Sequence, residues 1–213
     1  MKKIKAGIIG GAGYTGGEVL RLLLLHPAVE ISFVHSRSNA GKAVSHLHQD
    51  LIGHTSLCFT DTIDSSVDVL FLCLGHGESR QFLAQHTLPD HIRIIDLTND
   101  FRLRDKNQIG GRTFTYGLPE LNKEQIKKAT SIANPGCFAT AIQLGLLPLA
   151  QAGLLTDVYT TGITGSTGAG QTLAATSHFS WRANNIQAYK TLTHQHLDEI
   201  PIVTGKQIGR AHV

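Results

Sequence analysis

The chain has 213 residues, of which 41% are hydrophobic and 16% are charged, and its net charge is +3. This length allows one large domain or two small ones with a sizeable core, and the composition is typical of a globular chain rather than a disordered one. The small net charge, without Lys and Arg clustered among aromatic residues, argues against a nucleic-acid partner.

The cysteines and the hydropathy pattern indicate the cellular compartment of the protein. Cys58, Cys73 and Cys137 are too few and too scattered for a disulfide framework or a C-x-x-C metal site, so we expect a reducing, cytoplasmic compartment. No apolar stretch reaches the length of a membrane span, and we expect neither a signal nor a transit peptide. Most histidines are expected on the solvated surface. These include His26, His46, His48, His54, His86 and His91.

The first predicted unit is a strand, a glycine turn and a helix. The apolar run 6–10 leads into glycines that satisfy both G-x-G-x-x-G and G-x-x-G-x-x-G, and the periodic stretch 18–25 follows. Such glycines let the backbone turn sharply and approach a pyrophosphate at the helix N-terminus. The expected cofactor contacts in this turn are Gly10, Gly11, Gly13, Tyr14, Thr15 and Gly16.

The second predicted strand, Val29–His35, ends where a dinucleotide fold meets the adenine ribose. A site for NAD would offer Asp or Glu there, but this chain offers Ser36, Arg37 and Ser38. A guanidinium and two hydroxyls suit a 2′-phosphate, so NADP(H) is the expected cofactor. The alternative is an exposed polar loop.

A buried parallel strand is predicted at 67–74, because this run is almost continuously apolar. Cys73 inside it is expected to pack rather than react. The glycine loop that begins at Gly75 should face the cofactor, since loops at that edge of a parallel sheet do so. After a further strand at 93–97, Arg102 and Arg104 are either ligands for an anionic substrate or solvated side chains.

Cys137 stands out as a candidate nucleophile. The extended run 131–133 meets Pro135 and Gly136, and an apolar helix is predicted at 139–150. The thiol is thus expected where unpaired helix N–H groups carry partial positive charge, which favours thiolate over thiol. The alternative is a small buried cysteine at a strand–helix junction.

The residues after 150 are predicted to begin a substrate domain. A β-rich run at 158–164 precedes a glycine-rich loop at 165–170, whose backbone could nest a phosphate or carboxylate but which lacks a long apolar helix behind it. His194 and His196, followed by Glu199, superficially suggest a metal motif. No third ligand is obvious, so a general acid/base histidine with an orienting carboxylate is the preferred interpretation and no metal site is expected.

The ordered motifs resemble those of the N-acetyl-gamma-glutamyl-phosphate reductase family, within the aspartate-semialdehyde dehydrogenase-like group. The resemblance covers nearly the whole chain, and NPGCFAT and HQHLDEI are its most specific segments. The others are GGAGYTGGEVLRLL, SRSNAGK, LGHGES, DLTNDFRL, YGLPEL and TGSTGAG.

This resemblance implies a reaction as well as a fold. Cys137 would attack an acyl phosphate, phosphate would leave, and hydride from NADPH would convert the thioester to a semialdehyde, with His196, or else His194, handling the proton. The implied product is N-acetyl-glutamate 5-semialdehyde, an intermediate of arginine biosynthesis. The alternatives are a related reductase acting on an aspartyl or aminoadipyl substrate, and a catalytically dead NADP-binding fragment.

The expected architecture is α/β: a Rossmann-type parallel-sheet domain at 1–150, ending with the Cys137 helix, then an incomplete α+β substrate and dimerisation domain at 151–207. Family members continue beyond this point and form homo-oligomers. Residues 208–213 show no apolar period and back-translate into a common sequencing-adapter read. The hypothesis is therefore a truncated gene fragment with a non-native tail.

Overall fold

The computed structural model describes residues 2–191, 193–205 and 210–212. The chain forms two compact units. The first comprises the residues up to Gly117 together with Glu124–Asn134, and the second comprises Leu118–Lys123 and the residues from Pro135 onward.

Eleven strands and six helices are described in this part of the chain. The strands are β1 Ile4–Ile9, β2 Val29–His35, β3 Phe59–Thr60, β4 Val69–Leu72, β5 Arg93–Asp96, β6 Gln108–Ile109, β7 Arg112–Thr113, β8 Thr115–Tyr116, β9 Ser131–Ala133, β10 Tyr159–Thr161 and β11 Arg210–His212. The helices are α1 Tyr14–Leu24, α2 Glu78–Gln85, α3 Pro119–Lys128, α4 Cys137–Gln151, α5 Phe179–Arg182 and α6 Pro201–Thr204.

The first unit is built on a seven-stranded sheet in the order β3-β2-β1-β4-β5-β9-β8. Every neighbouring pair in it is parallel. The order starts from the middle and reverses direction after β3, as in dinucleotide-binding folds, which bind ligands at the carboxyl ends of the strands. The predicted Rossmann-type sheet is confirmed.

Alternating apolar side chains of the strands build a core on each face of this sheet. Ile8 and Val34 belong to one cluster, whereas Ile9 and Phe33 belong to the other. This alternation follows from the two-residue period of a strand, so a continuous apolar run serves both faces. Cys73 is 8% exposed in the first of these clusters, which confirms that it packs rather than lines a site.

The second unit contains α4, which packs against α6 and the short 3-10 turn Gln195–Asp198. The sequence predicts this helix as the end of the first domain, because it directly follows a strand of the parallel sheet. By its contacts it groups with the elements that carry the two histidines. The domain boundary near residue 150 stays a prediction.

The segments between the main helices and strands contain only short elements. The excursion between β2 and β4 contains three 3-10 turns and β3, and the glycine-rich loop near 165 contains the turn Ser166–Ala169. Of the predicted tail 208–213, residues 208, 209 and 213 lie outside the described residues, and β11 pairs in parallel with β10. Among the described helices, none is both long and apolar enough to cross a membrane.

Candidate active site

The glycine turn after β1 is fixed to the end of β2. The backbone N–H groups of Gly10 and Gly11 both donate to the His35 carbonyl, at 3.2 and 3.1 Å, and the Gly13 N–H donates to the Gly10 carbonyl at 3.2 Å. Gly10 adopts a φ of +79°, a conformation that side chains disfavour. The turn therefore starts at a residue that must be glycine.

Helix α1 begins directly after this turn and keeps its N-terminus open. Neither a capping side chain nor an acidic residue of its first turn covers it. A Cβ added at Gly13 would meet only the Gly10 carbonyl oxygen, at 3.6 Å, so a ligand can approach the backbone there. Because the first N–H groups of a helix lack intrahelical partners and sit at its positive end, this terminus fits a pyrophosphate.

Gly16 has a packing role inside the same turn. A Cβ at this position would lie 2.6 Å from the Gly10 carbonyl oxygen and from the Gly11 Cα. Tyr14 and Thr15, on the other hand, are exposed at the start of α1. The predicted contacts in this turn are thus gathered at the carboxyl end of β1.

Ser36, Arg37 and Ser38 follow the end of β2. The Ser36 side chain is buried and accepts from the Asn39 amide at 3.2 Å, whereas Arg37 and Ser38 are exposed within a short 3-10 turn. An exposed guanidinium and hydroxyl at this position remain accessible to a phosphate group.

The loop that begins at Gly75 leads into α2, whose N-terminus is already occupied. The Asp100 carboxylate accepts from the Gly77 N–H at 2.6 Å and from the Arg80 N–H at 2.9 Å. The Gly75 N–H donates to the Glu78 carboxylate at 2.9 Å. The chain's own acidic side chains therefore take the place that an anion would need, and the role of Gly75 stays a prediction.

Arg102 is not the solvated side chain that one of the two alternatives predicted, and its role toward an anionic substrate stays a prediction. It is 6% exposed, and its guanidinium donates to the Asn134 carbonyl at 2.8 Å and to the Leu97 carbonyl at 3.1 Å. These two bonds fix the guanidinium to the backbone of the loop after β5 and the residue after β9. Arg104 is exposed.

His48 contradicts the expectation that it lies on the solvated surface. It is 6% exposed, and its Nε2 lies 2.8 Å from the Gly11 carbonyl oxygen. The other five histidines named with it, at 26, 46, 54, 86 and 91, are exposed as expected. Spacing gave no signal for His48, because the residue that it contacts is 37 positions away.

Cys137 is the first residue of α4 and its side chain is exposed, which excludes the buried-cysteine alternative. Gly136 is the N-cap residue of the helix, and its N–H donates to the Glu199 carboxylate at 3.0 Å. Glu199 itself is 3% exposed. A buried carboxylate is thus fixed one residue from the thiol.

The two histidines lie on the same side of the second unit. The His196 imidazole packs directly against the Gly136 backbone, where it would collide with any added Cβ, and its Nε2 lies 3.9 Å from Glu199 Oε1. The His194 and His196 rings are 4.5 Å apart, and the Phe138 ring is edge-on to His194 at 5.5 Å. His196 is therefore the histidine beside the cysteine's helix and next to a carboxylate.

His194 has a capping role. Its Nδ1 accepts from the His196 backbone N–H at 3.2 Å, and this bond caps the start of the 3-10 turn that carries His196. Burial, helped by the nearby Lys190 charge, lowers the pKa of His194, while Glu199 acts in the opposite direction. The neutral ring is thus the form that the fold favours.

Gln143 was not singled out by the sequence. It is fully buried in α4, and its side-chain amide donates to the Glu199 carbonyl at 2.8 Å. Within residues 2–191, 193–205 and 210–212, no group of three His, Cys, Asp or Glu side chains is arranged to hold a metal ion. Gln143 and the Gly136–Glu199 bond together fix Glu199 by both its backbone and its carboxylate.

Known proteins support this organisation. Residues 5–129 match the family model described as the semialdehyde dehydrogenase NAD-binding domain, and residues 137–211 match the semialdehyde dehydrogenase dimerisation domain. Aspartate-semialdehyde dehydrogenases share the fold: the enzyme from Candida albicans with NADP has a TM-score of 0.67 at 18% identity over 98% of this chain and 61% of its own. For enzyme II of Vibrio cholerae the TM-score is 0.72 at 17% identity, over 99% and 70%.

Relatives of much higher identity are N-acetyl-gamma-glutamyl-phosphate reductases. The protein of Flavobacterium johnsoniae is 57% identical over 92% of this chain, and that of Bacteroides thetaiotaomicron is 54% identical over the same share. The chain spans 61% of the length of each. These matches confirm the resemblance seen in the motifs, and with a family model covering more than half of its length the chain belongs to the semialdehyde dehydrogenase family.

Proposed function

We propose that this chain carries the cofactor-binding unit and the nucleophile of an NADPH-dependent N-acetyl-gamma-glutamyl-phosphate reductase. The observation that carries the proposal is the exposed Cys137 at the first turn of α4, one residue from a glycine bound by the buried Glu199 and covered by His196. The names of the relatives that are more than half identical support the substrate.

The cofactor would bind to the first unit. The open N-terminus of α1 would hold the pyrophosphate, and Arg37 with Ser38 would hold the 2′-phosphate. Bound NADPH supplies the hydride. Binding of NADPH that is no tighter than binding of NADH would contradict the assignment of Arg37.

The protein's own residues divide the chemistry as follows. The Cys137 sulfur attacks the acyl-phosphate carbon, the bond to the phosphate oxygen breaks, and inorganic phosphate leaves from a thioester. Hydride addition gives a thiohemiacetal, and cleavage of its carbon–sulfur bond releases the semialdehyde. His196 gives its proton to the thiohemiacetal oxygen as hydride adds and takes it back as the carbon–sulfur bond breaks and Cys137 leaves as a thiolate, while Glu199 balances the charge of the protonated imidazole.

Assembly and location complete the proposal. The match to a dimerisation domain supports a homo-oligomer formed through the second unit. The division at residue 150 and a cytoplasmic location, where the three free cysteines stay reduced, are parts of the same proposal. The substrate is a small acyl phosphate.

The test replaces the nucleophile. Because the chain spans 61% of its relative, turnover is measured on a completed chain, in which residues 1–205 are joined to the C-terminal remainder of the Flavobacterium johnsoniae protein. Cys137→Ser should lower phosphate-dependent reduction of NADP+ with N-acetyl-glutamate semialdehyde at least about 1000-fold. NADPH affinity should stay within about twofold of that of the unsubstituted chain, because a twofold change is only a small part of the binding free energy.

Cys58→Ser is the matched control, since this thiol is also exposed and lies outside the second unit. It should leave turnover unchanged. Full activity of Cys137→Ser would refute the nucleophile, and activity with aspartate semialdehyde instead would move the substrate assignment to a related reductase.

A further inference from the structure

His48 is a buried imidazole that the proposed chemistry does not use. It lies between two 3-10 turns of the excursion that follows β2, and its Nε2 is 2.8 Å from the carbonyl oxygen of Gly11, in the middle of the glycine turn. A carbonyl oxygen only accepts hydrogen bonds, so Nε2 carries the proton and donates it. The bond joins two segments that are distant in sequence.

The same ring explains why Gly17, outside the dinucleotide motif, is a glycine. A Cβ at this position would lie 2.6 Å from His48 Cε1 and 2.7 Å from its Nδ1. The imidazole therefore spans the glycine turn and the first turn of α1, in contact with the backbone of both. Any larger residue at position 17 would displace it.

The segment that carries His48 is anchored on both sides. Before it, Val44 is fully buried in the core cluster that also contains Val19 and Leu20. After it, Asp50 accepts two hydrogen bonds from Arg21 of α1, at 2.6 and 2.7 Å. The buried valine and the exposed bidentate pair hold the segment against α1, and the His48 ring is itself 6% exposed, so His48 is a donor with little rotamer freedom.

A fixed donor on the Gly11 carbonyl also fixes the next peptide plane, because the trans peptide is rigid and its carbonyl and N–H point in opposite directions. Together with the bond from the Gly13 N–H to the Gly10 carbonyl, this holds the turn before any ligand arrives. Pre-organised backbone donors bind an anion more tightly than donors that must first be ordered.

We propose that His48 is a positioning residue for the dinucleotide, which holds the Gly11 carbonyl so that the glycine turn is preformed for the pyrophosphate. This inference rests on the proposed cofactor. It assigns a function to the segment that carries His48 and its two 3-10 turns.

The experiment compares His48→Leu, which removes the donor, with His48→Gln, whose side-chain amide can donate from a similar position. NADPH affinity is measured by isothermal titration calorimetry on the 213-residue chain, and protection of the amides of residues 11–13 is measured by hydrogen exchange without cofactor. His46→Leu is the matched control, because His46 is exposed in the same segment.

His48→Leu should weaken NADPH binding about tenfold, the effect of losing one buried hydrogen bond, and should speed exchange in the turn. His48→Gln should stay within about threefold of the parent, and His46→Leu should change neither quantity. In the completed chain, the KM for NADPH should rise in His48→Leu at constant kcat, whereas a general loss of fold would lower both affinity and active fraction.

Parent-like affinity and exchange in folded His48→Leu would overturn the proposal, as would a His48→Gln that is as impaired as His48→Leu. Should His48→Leu fail to fold, His48→Gln decides alone: parent-like protection of the turn supports the role, and lost protection refutes it. A parent chain that does not bind NADPH would instead refute the cofactor assignment, while the exchange comparison still tests the hydrogen bond.

Discussion

Helices α1 and α4 begin in nearly the same way and are surrounded by different groups. Each follows a strand of the parallel sheet and a glycine N-cap without a side-chain cap of its own. Around the N-terminus of α1, the turn is bonded to the His35 carbonyl and the His48 ring, and the first turn carries no acidic residue. At α4 the Glu199 carboxylate and His196 lie against the N-cap residue instead.

This difference teaches that the strand–glycine–helix pattern provides a positive helix end, and that distant residues decide its use. Because its first turn has no acidic residue, the end of α1 is left for an anionic ligand, whereas an acid and an imidazole against the glycine that precedes Cys137 suit proton transfer. Helix α2 is a third case, in which Asp100 occupies the donors and closes the site. Three similar sequences thus give three different local environments.

Gly16→Ala, which changes the N-terminus of α1, should have the largest effect, and the quantity that it changes is NADPH affinity. The added Cβ overlaps the backbone of Gly10 and Gly11, so the turn must shift and the α1 site should lose its shape. NADPH affinity, measured by calorimetry, should fall about 30-fold. Gly145→Ala in α4, where an added Cβ meets nothing within 4 Å, is the control and should bind NADPH normally. Unchanged affinity in Gly16→Ala would remove α1 from the binding site.

Glu199→Gln should have a smaller effect, and it should lower turnover rather than cofactor affinity. Glutamine can still accept from the Gly136 N–H, but it removes the negative charge 3.9 Å from the His196 Nε2. Turnover of the completed chain should fall about tenfold with NADPH affinity unchanged, because a charge-assisted contact becomes a neutral one. The exposed Glu124→Gln serves as the control. A loss of cofactor affinity without a loss of turnover would reverse the comparison between the two helix ends.

The smallest effect is expected from His194→Asn and concerns acid stability. Since burial lowers the pKa of His194, the unfolded chain binds a proton that the folded chain resists, and stability falls as the pH drops through the ordinary histidine range near 6.5. Protonation at Nδ1 also removes the acceptor for the His196 N–H. Asparagine keeps an acceptor and does not titrate.

Between pH 7.5 and 5.5, the Tm of His194→Asn should therefore fall by a few degrees less than that of the parent, measured by circular dichroism. His26→Asn is the control, because His26 makes the same kind of bond, to the Ala28 N–H, on the exposed surface. Equal acid sensitivity of parent and His194→Asn would show that the His194 ring does not titrate with folding.

The sequence predicted those parts of the fold and site that depend on local patterns. The apolar runs at β1, β2 and β4 predicted a parallel sheet, because strands that are buried on both faces are almost continuously hydrophobic. Gly10 and Cys137 were found from the turn and helix start that their neighbours impose. In each case the determining residues lie within a few positions of one another.

What the sequence did not predict depends on contacts between distant segments. His48 meets Gly11 across 37 positions, Asp100 meets Gly77 across 23, and Gln143 meets Glu199 across 56. A buried polar side chain and an exposed one look alike in sequence, since burial is decided by the packing of the whole unit. Arg102 is an example, because its carbonyl partners exist only once the sheet has formed.

The burial of Cys73 has a practical consequence for labelling. Exclusion from water raises the pKa of its thiol to about 12, so at neutral pH it does not ionise and does not react with alkylating reagents. The exposed thiols at 58 and 137 are the two that a maleimide dye can reach. Replacing Cys58 by serine would leave one attachment point for a fluorescent or isotopic reporter, placed at the first turn of α4.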